Sequence, residues 1–173
     1  ILISLCAVFA AQLAPTDPNR QNLILRLKPP MSEVTINNQP FTFYLGSDGL
    51  GRDLLSRLIY GSRVSLAVGL SAMLLGGLIG IVMGVLGGYF GGIIDDIIMR
   101  FADIQLAFPF ILLAIMVLVI LGPGLVNLII ILAIGQWVVY ARIARGETIA
   151  QKRKDYVESA RAVGVSDWRI LQR

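Results

Sequence analysis

The chain contains no histidine and a single cysteine, Cys6, which lies inside an apolar run. Without imidazoles or paired thiols there is no zinc-ligand set, disulfide framework or Cys–His nucleophile, so no metal site is expected. Charge is also scarce: 15% of the 173 residues are charged, against 56% that are hydrophobic. The charges are segregated, with none between residues 64 and 94 and none between 104 and 141. Such a chain is too apolar for a soluble domain of this size and reads as an integral membrane protein. The net charge of +4 comes without a basic run interleaved with aromatics, so nucleic acid is not an expected partner. No Gly-x-x-x-x-Gly-Lys-Ser/Thr phosphate loop occurs. ATP hydrolysis, if the work requires it, is expected in another chain, and this one is not read as an enzyme.

What is present divides into four stretches. Residues 1–13 are apolar but cover only about 20 Å of a roughly 30 Å hydrocarbon core. They fit the end of a first membrane helix, or the hydrophobic part of a signal peptide; the first reading is preferred. Residues 14–63 form an extracytoplasmic segment. Pro15, Pro18, Pro29, Pro30 and Pro40 imply extended chain, with short strands around Val34–Ile36 and Phe41–Tyr44. Glycine turns then lead into an amphipathic helix with Leu54, Leu55, Leu58 and Ile59 on one stripe, suited to the membrane interface.

Residues 64–141 hold three expected spans, over about 64–90, 104–121 and 125–141. Residues 104–141 run 38 positions without a charge, too long for one crossing, and Gly122-Pro-Gly124 divides them as a turn would. Phe108-Pro109 should kink the middle span near its start. Gly76, Gly80, Gly84, Gly88 and Gly92 recur every fourth residue, which places small residues along one face where another backbone can approach closely. A pore wall is the other reading of that ladder; helix packing is preferred. Gln105, Asn127 and Gln136 either line a translocation path or hydrogen-bond to a neighbouring helix. Tyr89, Phe90, Trp137 and Tyr140 suit the aromatic belts, and Asp103 is expected to cap a helix or pair with Arg100.

Residues 142–173 carry eight of the fifteen Lys and Arg residues, which favours the cytoplasmic side. Within them, Asp155–Gly164 reads as a short amphipathic helix ended by Gly164, with Ser166-Asp167 placed to cap a second. The sequence Glu158-Ser159-Ala160-x-x-x-Gly164 resembles the Glu-Ala-Ala-x-x-x-Gly loop of the membrane subunits of bacterial ABC importers, with Ser159 where the family usually has Ala. Leu45-Gly-Ser-Asp-x-x-Gly-Arg-Asp-x-x-Ser-Arg57, followed by Gly61-x-Arg63, is similar to the segment before the second membrane helix of the dipeptide, oligopeptide and nickel subfamily.

The resemblance implies an all-α membrane protein, a polytopic helix bundle of the importer permease type, read here as truncated at both ends. It implies that Glu158, Ser159, Ala160, Arg161, Gly164 and Trp168 couple the chain to a cytoplasmic ATPase. It further implies ATP and Mg bound by that partner with no cofactor on this chain. A second homologous permease chain, an extracytoplasmic solute-binding protein and membrane lipid would be the other partners. The expected function is uptake of peptides or nickel chelates across the bacterial cytoplasmic (inner) membrane. An ATP-independent secondary transporter, a channel subunit and a structural membrane scaffold are the alternatives, and a solvated juxtamembrane helix is the plainer reading of 146–173.

Overall fold

The computed structural model describes residues 2–36 and 39–171, whose regular elements are helical apart from one two-stranded hairpin. Contacts divide the chain into two compact units, Ile1–Gly69 and Leu70–Arg173.

The first unit begins with α1 (Leu2–Val8) and α2 (Ala10–Leu13). Strands β1 (Ser32–Ile36) and β2 (Gln39–Phe43) pair antiparallel, Ser32 opposite Phe43 and Ile36 opposite Gln39. Phe43 is 1% exposed and meets the ring of Phe41 edge-on at 5.1 Å. The two short strands expected here therefore form, with ends that differ by up to two residues, and they pair as a hairpin.

The polar residues of the 45–63 motif are consumed in holding this unit together. The Asp48 carboxylate accepts from the amides of Leu50 (2.9 Å) and Arg52 (3.0 Å), and from Arg52 Nε (2.8 Å) and Arg57 Nη1 (2.5 Å). Ser47 Oγ donates to the Leu25 carbonyl and accepts from the Lys28 amide. Asp53 accepts from the Ser56 amide (2.8 Å) and hydroxyl (2.6 Å), and so satisfies a free N–H at the start of α3 (Leu54–Phe90). Arg63 reaches back to the carbonyls of Ala7 and Val8 at the end of α1.

The short interfacial helix expected over 54–63 is not separate: it is the first part of the 37-residue α3. Gly61 and Ser62 do not interrupt it, because the Ser62 hydroxyl folds back onto the Ile59 carbonyl at 2.6 Å and leaves the backbone ladder intact. At 1.5 Å per residue α3 is about 55 Å long, so it extends well beyond a hydrocarbon core of about 30 Å.

The second unit is built on a seam between α3 and α6 (Leu125–Lys152). A Cβ on Gly76 would lie 2.8 Å from the Ala133 carbonyl oxygen, and one on Gly88 2.8 Å from that of Arg145. Between them Gly80 faces Trp137 and Tyr140, and Gly84 faces Ala141 and Ala144. Each four-residue step on α3 is matched by a four-residue step in the same direction on α6, so the two helices run parallel and in register. Gly92 stands outside this seam: it follows the end of α3, at φ +53°, with nothing within 4 Å of its Cβ position.

Parallel helices in contact dictate the course of what joins them. The chain leaves α3 at one end and must enter α6 at the other, so residues 91–124 return it along the whole pair. They do so as α4 (Gly92–Ala107) and α5 (Phe110–Leu121), which meet at 91°. Neither helix alone is long and apolar enough to cross; together they have the length and composition of one broken span beside α3 and α6. The span expected over 104–121 is therefore divided. Phe108 is extended (φ −96°, ψ 133°), as a residue before proline must be, and Pro109 has no N–H to continue α4. The Pro109 carbonyl instead accepts from Leu112 and starts α5. Likewise α6 does not stop at residue 141 but runs on to Lys152.

Two predictions follow from this architecture. Burial raises the Asp48 carboxyl, but the hydrogen bonds from Arg52 and Leu50 outweigh it and hold the group at about 2. A depressed carboxyl stabilises the turn above its unfolded value of about 3.9 and loses that contribution as pH falls through the folded value. The Leu50 and Arg52 amides should thus keep their hydrogen-exchange protection at about pH 5 and lose it towards about pH 2, with Asp48→Asn removing the pH dependence; unchanged protection in that variant would contradict the assignment. At the seam, Gly76→Ala and Gly88→Ala should each destabilise by about 1–3 kcal/mol through overpacking. Gly77→Ala, whose Cβ meets nothing within 4 Å, should be neutral or stabilising by up to about 1 kcal/mol from helix propensity. Unfolding in detergent titrations measures all three.

Candidate functional site

The segment after α6 folds as two short helices about a glycine. The Lys154 carbonyl accepts from Val157 (2.9 Å) and Glu158 (3.3 Å), beginning α7 (Asp155–Ala162). Asp155 and Glu158 in its first turn complement the positive end of the helix dipole. The Val165 amide donates to the Ala160 carbonyl at 3.1 Å around Gly164, whose φ is +79°. This is the six-to-one bond of a Schellman cap, and it needs a left-handed residue, a conformation strained for any residue with a Cβ. The Ser166 carbonyl then accepts from Arg169 (2.9 Å) and Ile170 (3.1 Å), opening α8 (Asp167–Leu171).

Val157 points inward and is buried, whereas Glu158, Ser159 and Gly164 are exposed. Ser159 bonds only to its own helix, its hydroxyl 2.8 Å from the Asp155 carbonyl. Ala160 is half-buried and faces α8: with Tyr156, Val157, Val165, Arg169 and Ile170 it lines a cavity of about 460 Å³. A larger side chain at 160 would fill the gap between the two short helices. The side chains of Arg161 and Trp168 lie outside the described ones. The structure thus brings together Ala160 and the Gly164 turn on one apolar notch and leaves Glu158 and Ser159 on the open surface beside it.

The knuckle is tied to the bundle by pairings that sequence patterning did not reveal. Tyr89, expected at a membrane interface, is 4% exposed and forms a hydrogen bond through its hydroxyl with the Asp167 carboxylate. Its carbonyl, at the end of α3, accepts from Lys152 Nζ at 2.5 Å, and the same ammonium lies 5.5 Å from the centre of its ring. Above this, Arg145 makes a bidentate pair with Asp95 in the first turn of α4, both bonds at 2.5 Å. Asp103 lies inside α4 and pairs with Arg142 at 2.7 Å, rather than capping a helix or meeting Arg100. The partners are 39 and 50 residues apart, and no local spacing rule reaches that far.

The three candidate pathway residues part company. Gln105 bridges α4 to α6: its amide donates to the Ile134 carbonyl (2.5 Å) and accepts from Trp137 Nε1 (2.6 Å). It also borders an apolar cavity of about 450 Å³ on the bend between α4 and α5, with Phe108, Leu112 and Met116 among its walls. Asn127 Nδ2 donates to the carbonyls of Leu121 (3.0 Å) and Gly122 (2.8 Å), closing the end of α5. Gln136 is exposed on the face of α6 away from these contacts.

Residues 76–173 match the family described as binding-protein-dependent transport system inner membrane component. The di/tripeptide transport system permease protein DppC of Pseudomonas aeruginosa (strain UCBPP-PA14) is 41% identical over 171 residues, which make up 99% of this chain and 55% of that protein. The glutathione transport system permease protein GsiD of Escherichia coli O157:H7 is 41% identical over an alignment covering 100% of this chain and 54% of that protein. The protein of the same name from Pectobacterium atrosepticum is 48% identical over 130 residues, 75% of this chain and 43% of its own. The chain spans about half the length of the curated relatives it matches.

Replacing Gly164 by Ala should cost about 1–2 kcal/mol, the penalty of a left-handed residue with a Cβ. Hydrogen exchange at the Val165 amide, which closes the cap, should accelerate by about tenfold or more while that of the α3–α6 seam is unchanged.

Proposed function

We propose, from the premise that this chain belongs to the family of binding-protein-dependent transport system inner membrane components, that it is part of a permease subunit of an ATP-driven importer of short peptides. The protein is a multi-pass inner-membrane protein. Peptides are preferred to nickel chelates because the three relatives described above are named for di/tripeptide and glutathione transport. A cytoplasmic ATPase carrying ATP and Mg, a second permease chain and an extracytoplasmic solute-binding protein are the partners in this reading.

The observation that carries it is the knuckle α7–Gly164–α8, an exposed pair of short helices with an apolar notch at the basic end of α6. The clustered Arg142, Arg145, Lys152, Arg153 and Lys154 favour the cytoplasm for that end. There the notch can receive a side chain of the ATPase, Glu158 and Arg161 can pair with its charges, and Trp168 can enter its groove. Closure of the ATPase dimer would push on the knuckle, and α3 and α6, locked by the glycine seam, would move as one body. Rocking of rigid bundles in this way exposes a central path to each side in turn.

The test uses the full-length protein with its ATPase. Ala160→Asp and Gly164→Asp place a charge in the notch and at its rim. Each should lower uptake of a labelled dipeptide and co-purification of the ATPase by about tenfold or more, with membrane insertion intact. Unchanged uptake in both removes the coupling role.

A further inference from the structure

The knuckle alone does not explain how force applied to it would reach the bundle. α7 and α8 are short, and a solvated pair of helices on a single covalent tether would swing rather than push. Besides the Tyr156 hydroxyl, which donates to Gln151 of α6, two connections oppose that. The first is the chain itself, which runs from Lys152 at the end of α6 through residues 153 and 154 into α7. The second is Tyr89. Its hydroxyl is bonded to Asp167 at the start of α8, and its carbonyl, one of the four at a helix end without an intrahelical partner, is bonded to Lys152. One buried residue thus joins the end of α3, the end of α6 and the far helix of the knuckle.

We propose that Tyr89 is a positioning residue for energy coupling: its phenol carries displacement of α8 directly into α3, so that α3 and α6 are driven together instead of α6 alone. The inference rests on the importer reading above. Geometry supports it in two further respects. Tyr89 follows Gly88, the last rung of the seam, so a push delivered there acts where α3 and α6 are already locked. It also precedes Gly91 and Gly92, both at positive φ, where the chain turns from α3 into α4. The ring is held besides by the Lys152 ammonium, so removal of the hydroxyl alone leaves the packing of residue 89 in place.

The experiment compares Tyr89→Phe, Asp167→Ala and the double variant in the full-length permease, assembled with its ATPase and second permease chain in proteoliposomes. Two quantities are read: co-purification of the ATPase, and the ratio of ATPase activity with and without dipeptide-loaded binding protein. Each single variant should keep co-purification and the melting temperature while uptake and the stimulated-to-basal ratio fall roughly tenfold, the scale of one lost charge-assisted hydrogen bond. The double variant should be no worse than Asp167→Ala alone, because the bond that Tyr89→Phe removes is already lost there. Wild-type ratios in both singles, or losses that add in the double, overturn the proposal. So does loss of ATPase co-purification, which would make the bond part of the docking surface. Gly164→Asp run alongside separates the two ideas: if it abolishes uptake while Tyr89→Phe is normal, only the Tyr89 inference fails, and if it too is normal, the coupling reading falls first.

Discussion

Close contact between two parallel backbones is the constraint from which the rest of this structure follows. In hydrocarbon, apolar side chains gain nothing by leaving lipid for protein, so helices associate through packing and interhelical hydrogen bonds. Gly76, Gly80, Gly84 and Gly88 meet α6 where any Cβ would strike backbone or a Cβ of the neighbour. That contact fixes α3 and α6 parallel, and parallel neighbours require a return crossing between them. The broken α4–α5 pair supplies it, with the bend at Phe108-Pro109.

Polar contacts then settle the orientation of the return crossing. Along α4, Gln105, Asp103 and Asp95 meet Trp137, Arg142 and Arg145 of α6 in reverse order, which is the signature of an antiparallel pair. They also differ in setting. The Asp103–Arg142 pair is exposed on both sides and contributes little by itself, whereas Asp95–Arg145 is bidentate with Asp95 mostly shielded, the geometry in which an ion pair adds specificity. The unit before the span uses the same chemistry differently: Ser47, Asp48, Arg52, Asp53 and Arg57 all bond within it. The motif that best marks the chain's kinship is thus a device for folding a turn and starting a helix.

Several local features were legible in sequence because their causes are local. The glycine period, the Gly122-Pro-Gly124 turn, the two short strands and the helix–Gly164–helix form each depend on residues within a few positions of one another. Other features were not legible, for an equally physical reason. Composition marked 54–63 as an interfacial helix, yet nothing there breaks the backbone ladder, so α3 runs through. Charge marked residue 141 as the end of a span, but a helix does not stop because it leaves the lipid. Tyr89 looked interfacial because an aromatic near a span end usually is; its burial depends on Lys152 and on Asp167, 78 residues away.

By itself the sequence determined that this is a membrane protein of several helices, where small residues line one face of the apolar run that begins at Val64, and where a basic, amphipathic segment begins. These are properties of hydropathy, spacing and turn chemistry, which act within one or two helical turns. Only the tertiary structure decided which helix the glycines would meet, that α3 and α6 run parallel, and that three helix ends converge on one buried tyrosine. Those outcomes depend on pairing between distant segments, and nothing in the spacing along a single helix encodes the identity or direction of the partner that will pack against it.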